Sequence, residues 1–322
     1  MPPPEPPVDE CPACGSTESV RLYRATDRQY RTTDKEFNIV ECNSCRLIRL
    51  QSPPPPAELA TFYPDTYWFA PEEWTADRLE EIYRRFVLRD HLRFVRKAIE
   101  HSSEEGPVLD VGCGCGLFLR LMAESGFPVV GLDFSLDAAA VAWKTNGVPT
   151  VCAQLSNAPF PPESCAAVTM FHVLEHLYDP ASYLEAAHRI LKPDGRLVIQ
   201  IPNAGCWQFL FLGQNWNGID VPRHLFDFRT SDLEILLDHC GFEIVRYKYF
   251  SLRDNPAGMA TSLAPELDPM IRRIRRVQET PNIKLFKDLA YFGLVLCCLP
   301  FTLIEAACRA GSTVMVEARK KA

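Results

Sequence analysis

The chain has 322 residues, 47% of them hydrophobic and 23% charged, with a formal net charge of -7. That supplies enough apolar side chain for a packed core and excludes a disordered polymer. The acidic balance argues against a nucleic-acid backbone as the main partner, because such binders carry basic surfaces. The 13 cysteines and the opening MPPPEPPVDE, with no basic start and no apolar run, point to a reducing cytoplasm, where thiols bind metal or pack rather than form disulfides.

In chain order, residues 1–10 read as a loose proline-rich tail. Residues 11–50 hold two Cys-x-x-Cys pairs, Cys11 with Cys14 and Cys42 with Cys45. Four thiolates make a closed structural zinc site. The 27 residues between Cys14 and Cys42 exceed the usual spacing, but a hairpin spans such a gap. Gly15 after the first pair suits the turn, whereas Arg46 after the second stands where glycine is easier. The alternative is two unrelated pairs. Residues 51–106 comprise a proline linker, the aromatic run FYPDTYWF at 62–69, and a predicted amphipathic helix over 76–101 with Leu79, Ile82, Tyr83, Phe86, Val87, Leu92, Val95 and Ile99 in phase.

From residue 107 strands and helices alternate. Strands are expected at 108–111, 128–132, 148–152, 166–171, 196–201 and 242–250. Helices are expected at 117–123, 135–145, 180–191 and 231–240. This is an α/β pattern, a parallel sheet covered on both faces, over 107–250. Residues 251–311 read as an insertion, with IRRIRR at 271–276 and a 19-residue apolar stretch at 289–307 interrupted by Pro300 and Glu305. That length is near the minimum for a bilayer span. Residues 312–319 alternate like a strand, and a crossing would leave them on the wrong side of their sheet. The stretch is therefore expected either as a buried helical hairpin broken near Pro300 or as a segment at a membrane surface. In the second case residues 271–308 would make peripheral contact, with Arg272, Arg273, Arg275, Arg276, Lys284 and Lys287 toward anionic lipid.

The chemistry-bearing motif is VLDVGCGCGLF at 108–118. An apolar strand runs into a turn in which Gly112, Gly114 and Gly116 permit positive φ and let a ligand lie against the backbone. Asp110 in the strand suits an amino-bearing ligand better than a pyrophosphate. Asp133 follows about twenty residues later at the end of the next strand, placed to accept from ribose hydroxyls, and Phe134 is placed to pack on adenine. Alternatively, Asp133 caps the next helix.

These segments, with Pro159-Phe160, FHVLEHL at 171–177 and LKPDGRL at 191–197, resemble the class I S-adenosylmethionine-dependent methyltransferases. The resemblance covers residues 107 to about 250. It implies a Rossmann-like seven-stranded sheet whose last strand is antiparallel, a role for the terminal segment. It also implies that His172 lines the methionine end of the cofactor. One departure is that no carboxylate precedes Pro159, so Gln154 or Asn157 is left to meet the adenine amino group. The cysteine module resembles the amino-terminal zinc region of some bacterial methyltransferases, including sugar C-methyltransferases. There the module and the following aromatic segment help enclose the substrate. By that resemblance Tyr63, Tyr67 and Trp68 form a lid; the alternative is that they pack the linker down.

A base for the acceptor is sought among histidines. His224 is preferred, in NWNGIDVPRHLF at 215–226, where Trp216 and Arg223 would help form an acceptor wall; His176 is the weaker candidate. The alternative is that Arg223 and His224 cap the next helix or pair with Asp227. The expected function is methyl transfer to a small-molecule acceptor, a nucleotide-linked sugar or glycan precursor. An isoprenoid or lipid acceptor and a non-catalytic binding protein are the alternatives. The oligomeric state stays open.

Overall fold

The computed structural model describes residues 10–64 and 76–321, and of residues 76–84 the backbone alone. The amino-terminal part is a meander of β1 (Ser19–Ala25), β2 (Phe37–Cys42) and β3 (Ile48–Leu50). A short helix α1 (Pro56–Leu59) follows, then the long α2 (Ala76–Glu100). Beyond it come β4 (Val108–Val111), α3 (Leu117–Glu124), β5 (Val129–Asp133), α4 (Leu136–Asn146), β6 (Thr150–Cys152), β7 (Cys165–Phe171), α5 (Pro180–Ile190) and β8 (Leu191–Pro202). The remaining elements are α6 (Trp207–Leu212), β9 (Phe226–Asp227), α7 (Thr230–His239), β10 (Phe242–Lys248), α8 (Asn255–Leu263), α9 (Pro269–Ile274), α10 (Pro281–Ala307) and β11 (Thr313–Lys320).

The main sheet has seven strands in the order β10-β11-β8-β7-β4-β5-β6. β4 to β8 run parallel and β11 lies antiparallel between β8 and β10, as the resemblance implied. Chain order reverses between β4 and β7, and at such a switch point a crevice opens beyond the carboxyl ends of the strands. Short apolar runs fill the middle of the sheet: every residue of β4 is buried, as a strand covered on both faces requires. The terminal strand is buried more deeply than its alternation suggested. Glu317 is enclosed and paired with Arg246 at 2.7 Å and Arg196 at 3.5 Å.

The second sheet, β1-β2-β3-β9, joins the cysteine module to the main body. β9 belongs to the loop after β8, and it pairs Ile48 with Asp227 and Arg49 with Phe226. Ile39, Ile48 and Leu50 of the module share one apolar core with Ile201, Leu225 and Phe228. The module is therefore a wall of the main body, not a bead on a linker.

The carboxyl-terminal segment is not the buried, broken hairpin of the first expectation. α10 is one uninterrupted helix with Pro300 inside it; losing a single backbone donor did not break a helix of this length. Nor is it buried: Leu285, Phe286, Leu289, Phe292 and Leu296 are exposed. By length and composition it is the one candidate span among the described residues. It is nevertheless docked along the body, through Tyr291 to Thr261 at 2.9 Å and through Glu305, which accepts from Gln208 at 2.9 and 2.8 Å. Three of the six basic residues at 272–287 are ion-paired in place. Arg272 bridges Glu279 and Asp288, Arg275 binds Glu266, and Lys287 binds Glu279. Those residues are not a free cationic face.

Candidate functional site

The turn after β4 has the geometry its glycines predict: φ is 72° at Gly112, 52° at Gly114 and 77° at Gly116. The three serve different ends. A Cβ on Gly112 would stand 2.7 Å from Val173, and one on Gly116 would stand 3.0 Å from Ala142, so packing excludes side chains there. Nothing lies within 4 Å of a Cβ on Gly114; that open side is where a ligand can rest on the backbone. Asp133 ties the turn to β5, accepting from Gly114 N at 3.0 Å and from Ser135 N at 2.9 Å. The cap of α4 is Ser135 itself, which accepts from Ala138, so Asp133 is not the helix cap. Burial raises the pKa of Asp133 even though three backbone amides oppose it.

Asp110 lies deeper than expected. It is buried and accepts from Thr169 Oγ1 at 2.5 Å. Burial first, then the Asp133 charge, pushes its carboxyl up to about 7, so it is a poor partner for a distant cation. Phe134 is 62% exposed at the crevice edge, and Gln154 is exposed beside it. This turn, the acidic strand end and an uncovered aromatic form a cradle that fits a methionyl nucleoside.

Across the switch point, β7 delivers His172 at φ 56°. Gln200 Nε2 lies 3.1 Å from its Nε2, and Glu175 lies 3.3 Å from its Nδ1. Burial disfavours charge on His172, but the Asp254 and Glu175 carboxylates outweigh it and hold the ring up at about 9. The sequence reading missed Gln200, Glu175 and Asp254. A glutamine inside the apolar run LVIQI was the readable signal for the first.

His176 and His224 come together with ring centroids 4.6 Å apart. His176 Nδ1 is 3.0 Å from the Arg223 carbonyl, and His224 Nδ1 is 2.8 Å from the Gly218 carbonyl. A carbonyl cannot donate, so each Nδ1 carries the proton and each Nε2 keeps a lone pair. Burial, then the neighbouring His224, drives His176 down to about 4, keeping it neutral. Glu175 is enclosed, with His172 Nδ1 at 3.3 Å from its carboxylate. Burial alone would protonate it, yet His172, His176 and His224 keep it ionised. Its ligand atom and those of His176 and His224 lie within 4.8 Å of one another, an arrangement able to take up a proton or hold a divalent cation.

Two expected acceptor contacts lie inside instead. Trp216 is buried against Phe209, where an apolar ring belongs. Arg223 is fully enclosed: Asp27 of the module accepts from it at 2.7 and 3.1 Å, Asp220 at 2.5 and 3.0 Å, and the Phe62 carbonyl at 3.0 Å. A guanidinium so saturated is a structural latch rather than a substrate contact. Asp27 carried no sequence signal. His224 does not pair with Asp227, as the alternative had it; its ring bonds the Gly218 carbonyl. Tyr63 reaches His176 Nδ1 at 3.2 Å; Tyr67 and Trp68 lie outside the described residues.

The four cysteines converge as predicted. Cys11 Sγ lies 3.6 Å from Cys45 Sγ, and Cys14 Sγ lies 3.6 Å from Cys42 Sγ. Tetrahedral zinc with bonds of about 2.3 Å requires sulfur separations of about 3.8 Å, so the set fits a metal and not a disulfide. Gly15 takes φ 73° and Arg46 φ 67°; the second turn adopts the same left-handed bend without glycine.

Fold and crevice together define the class, the S-adenosylmethionine-dependent methyltransferases. The chain belongs to the methyltransferase-domain family, which it matches over residues 79–247, just over half its length. It is 30% identical over 186 residues to a probable S-adenosylmethionine-dependent methyltransferase of Mycolicibacterium smegmatis, a match covering 56% of this chain and 61% of that protein. It therefore spans less than two thirds of that relative. It is also 32% identical over 173 residues to a ubiquinone biosynthesis O-methyltransferase of Pseudomonas aeruginosa, covering 50% of this chain and 74% of that protein. Among solved structures, an Archaeoglobus fulgidus methyltransferase matches with TM-score 0.48 and 20% identity, over 77% of this chain and all of its own. A Mycobacterium tuberculosis cyclopropane synthase matches with TM-score 0.48 and 18% identity, over 71% and 84%. The family match does not extend to the cysteine module.

Proposed function

We propose that this chain methylates a small-molecule acceptor, a nucleotide-linked sugar or glycan precursor, with His224 as the base and a structural zinc in the cysteine site. S-adenosylmethionine, when bound, supplies a methyl on a sulfonium whose departure leaves a neutral thioether. The chain's work is thus to align the nucleophile and take up its proton. Alignment alone is worth about 7–11 kcal/mol of barrier. The glycine turn and Asp133 shape the crevice floor, and His172 closes the β7 side.

One observation carries the base assignment: the Gly218 carbonyl fixes the His224 proton on Nδ1, leaving Nε2 able to accept. His176 shares that tautomer, but at about 4 it is a weak base. The ionised Glu175 beside the pair stabilises the imidazolium that forms, as a carboxylate does in hydrolytic triads. The acceptor class draws its support from the resemblance of the module to those of sugar methyltransferases.

The test is transfer of labelled methyl to a panel of nucleotide sugars and prenyl-linked acceptors, comparing the native chain with His224→Ala. Loss of turnover by about a hundredfold or more at unchanged S-adenosylmethionine affinity is expected. Full turnover in the variant removes His224 as base.

A second reading, a lipid-linked acceptor met at a membrane surface, is favoured by the exposed apolar face of α10. Flotation with anionic vesicles should then carry the chain upward, and Phe286→Ser with Phe292→Ser should abolish it. No flotation of the native chain ends this reading.

A further inference from the structure

A cavity of about 550 Å3 opens between the amino-terminal sheet and α9, walled by Tyr30, Arg31, Thr61, Tyr63, Arg275 and Arg276. Its charge is unbalanced. Arg275 has a buried side chain, fixed by two 2.9 Å bonds to Glu266 and by the carbonyls of Gln29 and Arg28 at 2.7 and 2.5 Å. Arg31 reaches the same Glu266 at 2.5 Å. Arg28 stands behind, held by the Asn215 and Ser262 carbonyls at 2.8 and 2.9 Å. Arg276 is exposed and makes no ion pair among the described residues. Among the described residues, three guanidinium groups of the wall therefore share one ion-paired carboxylate, with Arg28 behind them, in a chain whose net charge is -7. The surplus is felt locally: burial first, and then Arg275, lower the pKa of Arg28 despite Glu266.

The cavity also adjoins the reaction site. Tyr63 is part of its wall and sets its hydroxyl 3.2 Å from His176 Nδ1. A ligand anchored here by one end presents its other end toward His176 and His224.

We infer that this cavity is the subsite for a diphosphate carried by the methyl acceptor, an inference that rests on the methyl-transfer reading above. A surplus of two positive charges among the described wall residues suits a group that carries at least two negative ones. Guanidinium forks match phosphate oxygens two at a time. The volume exceeds what inorganic phosphate needs and lies within the range of small-molecule sites. Nucleotide-linked and isoprenoid-linked acceptors both carry this group.

The test is calorimetry on the full chain, at verified metal content, with inorganic pyrophosphate, uridine diphosphate and farnesyl diphosphate, and separately with S-adenosylmethionine. Pyrophosphate should bind in a salt-sensitive way. Arg31→Ala and Arg276→Ala, both at exposed positions, should each weaken it about tenfold while S-adenosylmethionine affinity stays within twofold. Tighter binding of the uridine compound assigns a soluble nucleotide-linked acceptor and tighter binding of the farnesyl compound a lipid-linked one; either upholds the subsite. The inference is overturned if none of the three diphosphates binds, or if both variants bind like the native chain. Failure of S-adenosylmethionine to bind would sink the methyl-transfer reading, and the diphosphate data would still be read on their own.

Discussion

Replacing Asp27 by alanine tests how the amino-terminal module governs the reaction site. Asp27 and Arg223 are wholly enclosed, and Asp27 accepts from Arg223 twice, from Thr32 at 2.9 and 2.6 Å and from Tyr30 N at 3.0 Å. Removing one member of a buried pair costs about 3–5 kcal/mol, because the other charge is left without its partner. Asp220 still holds Arg223, which puts the expectation near the lower end, about 3 kcal/mol. For a chain of this size that lowers Tm by roughly 6 °C. The sign of the pH dependence follows from the same pair. Burial would raise the Asp27 pKa, but Arg223 outweighs it and holds it below the ordinary carboxylate value. Its contribution is thus present above the unfolded carboxylate pKa and is lost as pH falls through the folded one, and Asp27→Ala should flatten that acid limb. Arg223 immediately precedes His224, and a displacement of about 1 Å can cost a hundredfold in rate. The expected kinetic result is therefore a large fall in kcat with S-adenosylmethionine affinity unchanged. Urea titration and initial rates measure both effects. A variant within 0.5 kcal/mol of the native chain with native kcat would show that the latch holds nothing.

Cys42→Ser removes one thiolate from a four-thiol set. Metal analysis should show zinc content falling from one equivalent toward zero, and loosening of β3 should slow methyl transfer before it weakens cofactor binding. Unchanged zinc would end the assignment. His91 on α2 is fully buried with neither ring nitrogen hydrogen-bonded, and burial holds it down at about 4. A displacement from 6.5 to about 4 is worth roughly 3 kcal/mol. Its sign is that stability present above pH 6.5 is lost as pH falls to 4, because the unfolded chain takes the proton first. His91→Phe should remove that loss in chemical denaturation at pH 7 against pH 4.5; an unchanged difference would refute the assignment. His172 has the opposite sign, adding stability that is complete below pH 6.5 and lost as pH rises through about 9, so the two are separable by pH.

Most of the strands and helices of the main body were legible, because short apolar runs alternating with amphipathic stretches leave few other solutions. The cysteine cluster was legible because each Cys-x-x-Cys pair fits one tight turn. Tertiary partnership was not. Arg223 and Trp216 were read as ligand-facing from polarity and position in a loop, yet one is neutralised by Asp27, almost two hundred residues away, and the other packs on Phe209. Glu175, too, stood unremarked in FHVLEHL until its burial beside His172, His176 and His224 showed what it does. For α10, Pro300 suggested a break that a 27-residue helix absorbed, and the apolar composition suggested burial that the fold does not provide.

The misreadings of Arg223 and Trp216 share a cause. The loop from β8 to α7 carries Trp216, Arg223 and His224 but takes its shape from the far end of the chain. β9 within it has only two residues, too short to persist without a neighbour. That neighbour is β3, which follows directly on the second cysteine pair. The lone pair on His224 is aimed by the Gly218 carbonyl of this same loop, so the aim is only as firm as the β3–β9 pairing and the Asp27–Arg223 latch. If His224 is the base, as proposed, a metal in the cysteine site would act at a distance from the methyl group, by fixing β2 and β3 and through them the His224 ring. The module is thus better understood as a brace for the loop that carries His224 than as a separate binding domain.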